Sequence, residues 1–389
     1  MNIFENAAER LKNDYQKFID YLDENEVMLS KRTEHIGKKD CYALNQRFDI
    51  VSEKFQSKGR TQDNYTVIDF FYFFSVRSDI LRVLKKKGLG LTFQRTERYQ
   101  LFSELSAMEQ YILMVSVWIG EYHEALSYSY SSFGGNQLFM LMNKVGEKLT
   151  NPYNTRVKAP WGERYSPEIR LFGLFQLIRI EWLDELDIEK ENKFRIKQLY
   201  QSEEGYSLKK ILDIENNFSF FIDHLFTVLS EVKKIAGENS DAIEEKLINF
   251  WTNPLEKGLR TIEFKVMVGS CIRRLKIGDQ FTLEDLHDLI QESIDFDRDH
   301  LYYFQMGAGT CKVMYYAPEC RDEIWQTDLV TLAELKLYEG MQFEYMFDFG
   351  DQWRFKITVE RILDEHSQEC EIWEIEGEAP EQYSYEDWE

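Results

Sequence analysis

Across residues 1–253 apolar residues recur every three or four positions. In Met1–Asp23 they are Ile3, Phe4, Ala7, Leu11, Tyr15, Phe18 and Leu22, the stripe of a helix that buries one face. The same period predicts helices over Tyr42–Phe55, Val67–Leu84, Glu104–Tyr122, Gln137–Leu149, Pro167–Leu186 and Leu208–Ile235. Ser127–Gln137 (SYSYSSFGGNQ) and Asn151–Pro167, with Pro152, Pro160 and Pro167, read as loops. The second is where this region would divide if it forms two subdomains, split near 151–167. No repeat of fixed period runs through the chain.

From Thr261 the period shortens to two. Thr261–Val268 sets Ile262, Phe264, Val266 and Val268 on one face, a strand signature. Phe281–Ile294 returns to the helical period, with Leu283, Leu286, Ile290 and Ile294 on its apolar face. Thr282 is spaced to cap it, with Asp285 as reciprocal partner. His300–Met306, Lys312–Tyr316, Gln342–Asp348, Trp353–Glu360 and Cys370–Ile375 read as short strands. The expected fold class is α+β overall: a mostly α-helical N-terminal region, followed by a C-terminal α+β domain with a mainly antiparallel sheet and one main helix.

One hairpin follows in detail. Phe343, Tyr345 and Phe347 share a face of the first strand; Trp353, Phe355, Ile357 and Val359 share a face of the second. Partners across a ladder lie on the same face, so Phe347 should oppose Trp353 and Tyr345 should oppose Phe355. Glu344 then faces Lys356 on the other side. This parity requires an odd loop, with Phe349-Gly350-Asp351 the shortest, and Gly350 is the residue expected at positive φ.

Charge sharpens the division. The chain has 389 residues and a net charge of −22. Residues 254–389 hold 13 Lys/Arg and 31 Asp/Glu, a net of −18, which leaves −4 for residues 1–253. The change coincides with Asn253-Pro254, where a helix would stop. The expected organisation is a helical region at 1–253, an α+β domain at 254–381 and an acidic tail at 382–389. Such a charge argues against a polyanion as the main partner. Cys41, Cys271, Cys311, Cys320 and Cys370 are scattered and form no C-x-x-C pair, as in reduced cytosolic proteins. The early charged residues are unlike a signal peptide, and the longest apolar runs, near Val67–Val76 and Tyr111–Ile119, are too short to cross a bilayer. A cytoplasmic location with no membrane partner is expected.

Three blocks then come together in order and spacing. They are Thr282-Leu283-x-x-Leu286-His287-x-x-Ile290, Asp299-His300-Leu301-Tyr302-x-Phe304, and Tyr345-Met346-Phe347-Asp348-Phe349-Gly350-Asp351-x-Trp353-x-Phe355-x-Ile357. With the closing Gly377-Glu378-Ala379-Pro380-Glu381 they resemble the plasmid pRiA4b ORF-3-like family over roughly residues 261–381. This chain has Gln382-Tyr383-Ser384 where the family continues with a second proline and a glycine pair. The resemblance implies a compact α+β domain, often encoded on plasmids or near transposable elements and sometimes fused to other modules. It brings no catalytic residue, ligand-binding residue or cofactor with it.

The candidate chemistry is modest. Asp348-Phe349-Gly350 lacks the glycine loop, strand lysine and catalytic loop that a kinase places before it. His287, His300, Asp348 and Asp351, with Asp299, have side chains able to bind a metal or exchange protons, and define a metal-dependent hydrolase as one alternative. The structural reading of these residues makes His287 a core histidine and Asp348 and Asp351 turn caps; it extends to Tyr345, Gly350 and Trp353 as framework positions. Gly307-Ala308-Gly309-x-x-Lys312 reads as a hairpin turn, and Gly88-Leu89-Gly90 as a helix stop. Leu29–Phe48 reads as two short helices around Gly37, presenting Lys31, Arg32, Lys38 and Lys39. Arg82–Arg98, with Arg82, Lys85, Lys86, Lys87, Arg95 and Arg98 against Glu97, has a local net of +5. Its Leu91–Phe93 and Tyr99–Phe102 segments suggest a hairpin after a helix, a winged-helix-like element within 29–105. A DNA-associated regulator using these two segments is a second alternative. Glu360–Glu389 carries one basic and 12 acidic residues together with Trp373, Tyr383, Tyr385 and Trp388, a surface for a basic partner. No complete catalytic constellation is present, so binding is favoured over catalysis. The expected function is an accessory or regulatory binding protein associated with plasmids or mobile elements, its acidic domain recognising an unidentified protein.

Overall fold

A computed structural model of the protein describes residues 2–49, 59–123, 125, 166–182, 196–212, 225–252, 259–320 and 325–383. The loop at Ser127–Gln137, the helix at Gln137–Leu149, most of the loop at Asn151–Pro167, the boundary at Asn253-Pro254 and residues 384–389 of the tail lie outside these. The chain divides into two compact units: Met1–Leu81 with Phe93–Asn253, and Arg82–Thr92 with Pro254–Glu389.

The first unit is helical. Helix α1 (Glu5–Glu24) buries Leu11, Tyr15 and Phe18, and α2 (Lys38–Asn45) follows. Helix α3 (Thr66–Arg77) is apolar on nearly every side, and its Phe71 ring meets Tyr15 edge-on at 5.3 Å. The helix stops before the expected Leu84, and Leu81–Lys86 is instead strand β1, paired with β2 (Gly90–Arg95); Arg82–Thr92 of this hairpin belong to the second unit. The expected pairing of Leu91–Phe93 with Tyr99–Phe102 is thus replaced by a hairpin one element earlier. Tyr99–Phe102 belongs to α4 (Glu97–Ser103), and Gly88 and Gly90, at φ +81° and +118°, make the hairpin turn and not a helix stop. Helix α5 (Ala107–Val117) continues through a π-helical turn at Trp118–Tyr122, close to the expected span.

Pro167–Leu186 likewise splits, into α6 (Ser166–Leu174) and strand β3 (Ile178–Trp182), which pairs with β4 (Ile196–Gln201). Helices α7 (Glu203–Ile211), α8 (Leu225–Val232) and α9 (Ser240–Thr252) complete the described part. The two misjudged helices end alike. Asp79 and Gln176 take left-handed φ of 57° each, and the following amide reaches back to the carbonyl five residues earlier: Ile80 to Ser75 and Leu177 to Phe172. This is the termination usually made by glycine, here made by residues that do not announce it. Leu29–Phe48 holds one helix and not two, because Leu29 and Ile36 close a β-bridge ahead of α2.

The second unit is built on a seven-stranded sheet with spatial order β11-β6-β5-β10-β9-β7-β8. The strands are β5 (Thr261–Val268), β6 (Cys271–Gly278), β7 (Tyr302–Met306), β8 (Val313–Tyr316), β9 (Gln342–Phe347), β10 (Trp353–Leu363) and β11 (Glu371–Glu376), and every pairing is antiparallel. Strand β6 is one more than the pattern predicts. Its Arg273 points inward, breaking the alternation; the buried guanidinium is held by the Ser293, Ile272, Glu376 and Gly377 carbonyls. Helix α10 (Leu283–Ile294) starts on the expected cap, with Thr282 Oγ1 accepting from the Asp285 amide and Asp285 Oδ2 accepting from the Thr282 amide. Its Leu283, Leu286, Ile290 and Ile294 are buried with Phe264, Phe304, Tyr345, Phe355 and Ile357 of the sheet in one core.

Candidate functional site

The β9–β10 ladder has the register that residue parity demands. Phe347 pairs with Trp353, Tyr345 with Phe355, and Glu344 with Lys356. The loop closes on Gln352 N–H donating to the Asp348 carbonyl at 2.7 Å. The left-handed residues are Asp348 (φ 58°) and Gln352 (φ 54°), and Gly350 is not among them. Asp348 earns that conformation through its side chain: Oδ1 accepts from the Gly350 amide at 2.7 Å and from the Asp351 amide at 3.3 Å. Asp351 itself is exposed. Trp353 packs edge-on against Phe296 at 5.2 Å.

The residues of the proposed cluster separate into two sets. The first is internal. The His287 ring on α10 lies parallel to Tyr302 of β7, 3.7 Å between centroids and 3° between planes. Gln291 Nε2 donates to the Tyr345 hydroxyl at 2.5 Å, which leaves the phenol proton for His287 Nδ1 at 2.6 Å. The imidazole is then neutral with its proton on Nε2. Burial, with a smaller contribution from Arg298, pulls its pKa down to about 3. Burial also raises Tyr345 and Tyr302 well above the usual phenol range. This set orders the interior and offers no group to a substrate in solvent.

The second set is at the surface. His300 Nδ1 lies 3.6 Å from Asp348 Oδ2, while Nε2 lies 3.4 Å from Asp299 Oδ1 and 3.2 Å from the Tyr383 hydroxyl. The Phe347 ring touches both histidines, at 6.0 Å from His287 and 5.8 Å from His300. Among the described residues, no three His, Cys, Asp or Glu side chains assemble into a metal-holding group. Gln291 and Asp297 carry no motif signal, and nothing in the sequence pairs Tyr302 with His287 or Tyr383 with His300. Gln382 Oε1 accepts from the Asp297 amide at 2.6 Å, so the residues that depart from the family pattern pin the closing segment to the loop after α10.

The basic candidates also divide. Lys31, Arg32, Lys38 and Lys39 are exposed, as are Lys85, Lys86 and Lys87 at the end of the β1–β2 hairpin; Arg82 is half-buried. Arg98 is a structural residue: it is buried, and its guanidinium donates to the Phe250 and Trp251 carbonyls. Arg95 is committed to Asp23 and lies 4.1 Å over the Tyr99 ring. Arg98 is therefore corrected from a nucleic-acid contact to an internal partner, while Arg95 remains part-exposed in a surface ion pair.

Strand β11, at one end of the sheet, carries a different surface. Arg274 of β6 is shared by Glu360, Glu374 and Glu376 at 3.0, 2.8 and 3.3 Å. Lys276 meets Glu365 at 3.1 Å and lies opposite Glu371 in the ladder. Two cations thus serve five carboxylates. Between them Trp373 is 40% and Ile375 63% exposed.

An antiparallel sheet, one capped helix and an aromatic hairpin define a compact α+β domain. Residues 260–383 match the family described as plasmid pRiA4b ORF-3-like protein. The chain is also similar to the uncharacterized protein y4hQ of Sinorhizobium fredii, 29% identical over 98 residues, which are 24% of this chain and 47% of that one. It thus spans about half the length of that curated relative. The crystal structure of MM3350, a protein of unknown function from Methanosarcina mazei Go1, is similar at 22% identity and a TM-score of 0.24, over 28% of this chain and 62% of that one. Among the described residues no helix is long and apolar enough to cross a membrane.

Proposed function

We propose that the chain is an accessory or regulatory binding protein of a plasmid or mobile-element system, and that its acidic C-terminal domain recognises a protein partner. The observation that carries this is the surplus of carboxylates around Arg274 and Lys276, next to exposed Trp373 and Ile375. Unbalanced charge beside exposed apolar side chains suits a surface completed by a partner. Cross-linking of the full chain in extracts of its host tests the reading. Protein cross-links concentrated in residues 260–383 and weakened by salt are expected; their absence overturns it.

A second reading has its own observation. Lys85, Lys86 and Lys87 stand exposed at the hairpin turn, a local positive arm able to contact phosphates. A low-salt gel shift lost in the Lys85→Glu, Lys86→Glu, Lys87→Glu variant is its expected result, and no shift at any salt removes it.

A further inference from the structure

We propose that the outer edge of β11 docks an extended, lysine- or arginine-rich segment of the partner protein, which joins the sheet as a further strand. This rests on the protein-recognition reading above and names its place and chemistry. Among the described residues β11 pairs with β6 alone and stands at the end of the sheet order. Such an edge presents backbone donors and acceptors to another chain, and an added strand uses them for affinity; the register shift at Trp373 interrupts the row, so the added strand pairs on either side of that bulge.

The charge selects the occupant. Glu371, Glu374 and Glu376 lie in the strand itself, Glu378 follows, and the nearby Arg274 and Lys276 leave the carboxylates in excess. Helix α10 lies against β11, and burial together with its Asp285 and Glu292 pushes the Cys370 thiol, one residue ahead of the strand, up to about 11. The negative field thus extends from the strand onto the helix. A second copy pairing antiparallel on this edge would set these glutamates against their own kind, which destabilises a ladder. A basic strand meets no such opposition. An edge kept merely inert would carry charge without large apolar side chains, yet Ile375 and Trp373 are exposed here.

The test uses the full chain and a capped peptide of four Lys-Val repeats, with a control N-methylated at alternate residues to remove one row of backbone donors. Binding is read by fluorescence anisotropy of labelled peptide and by amide exchange. The unmodified peptide should bind in a salt-sensitive way, protect amides within 371–376, and exceed the methylated control by about tenfold or more. Ile375→Lys, which adds a like charge to the peptide's and removes apolar area at an exposed position, should weaken binding by about tenfold with an unchanged melting temperature. Trp373→Ser provides a second variant with the same expectation. Equal binding of the two peptides, undiminished binding by both variants, or protection outside β11 overturns the edge as the site. Protein cross-links within 260–383 combined with any of those results leave the recognition reading standing and remove β11 alone.

Discussion

Acid should weaken the C-terminal domain through one identifiable group. His287 is 4% exposed, stacked under Tyr302, and accepts a hydrogen bond from the Tyr345 hydroxyl on Nδ1, so folding holds it neutral. Its pKa falls from 6.5 to about 3. Between those values the unfolded chain binds a proton that the folded chain refuses, so stability rises with pH across this window and is lost as pH falls from 6.5 towards 3. Above 6.5 the histidine contributes no slope. From pH 7 to pH 5 the loss is about 2 kcal/mol, at about 1.36 kcal/mol per pH unit below the unfolded pKa. With a urea slope of roughly 1–3 kcal/mol/M, the midpoint should drop by about 1 M. The assay is urea titration of the full chain at pH 7 and pH 5, followed by a pulse of hydrogen exchange at one fixed labelling pH and readout on peptides from 342–363. Carboxylates elsewhere also titrate, so the comparison is with His287→Gln, whose amide can accept from Tyr345 and does not titrate. The variant should lose most of the pH dependence over this interval. Identical slopes in the two proteins would refute the neutral, buried assignment.

Other expectations follow from the same contacts. Tyr345→Phe leaves His287 Nδ1 and the Gln291 amide without their shared partner and should cost about 2 kcal/mol in urea titrations monitored on the same peptides. Asp348→Ala removes two loop caps and strains a left-handed position, a loss of about 2 kcal/mol, whereas Asp348→Asn, able to cap and to adopt that φ, should stay within about 0.5 kcal/mol of the parent. Thr282→Ala opens the capping box of α10 and should cost about 1 kcal/mol in thermal melts, with most of it restored by Thr282→Ser.

The legibility of this fold varied with how many physical signals agreed. In the β9–β10 hairpin, alternation, aromatic faces and loop parity all demand one register, and that register is observed. In Val67–Leu84 and Pro167–Leu186 the apolar period suggests long helices but does not mark where they stop. A segment buried on nearly every side has no periodicity to mark its end. The actual ends were set by Asp79 and Gln176 in left-handed backbone, and Asp295 does the same for α10, where the Phe296 amide bonds the Gln291 carbonyl. No glycine flags any of the three. Strand β6 was hidden for the reverse reason, since an inward arginine spoils the alternation that its carbonyl partners make acceptable.

The site residues show why side-chain chemistry alone underdetermines a role. His287 and His300 are equally able to bind a metal or move a proton, and both sit in sequence blocks that carry the family resemblance. What separates them is the far side of each ring. The α10 face turns His287 into the aromatic layer of β7 and β9, where desolvation removes its proton and Tyr345 occupies its lone pair. His300 precedes β7 at the margin of that layer, against the Phe347 ring, and its polar neighbours are carboxylates and the Tyr383 hydroxyl. The spacing of 13 residues between them carries no information about this, because it is the packing of a helix on a sheet that assigns inside and outside. The same reasoning applies to Arg98 against Lys85: both lie in one basic run, but Arg98 is on a helix whose inner face meets the end of α9, and Lys85 is at a hairpin turn. A charge run therefore predicts a surface only after the secondary structure beneath it is known.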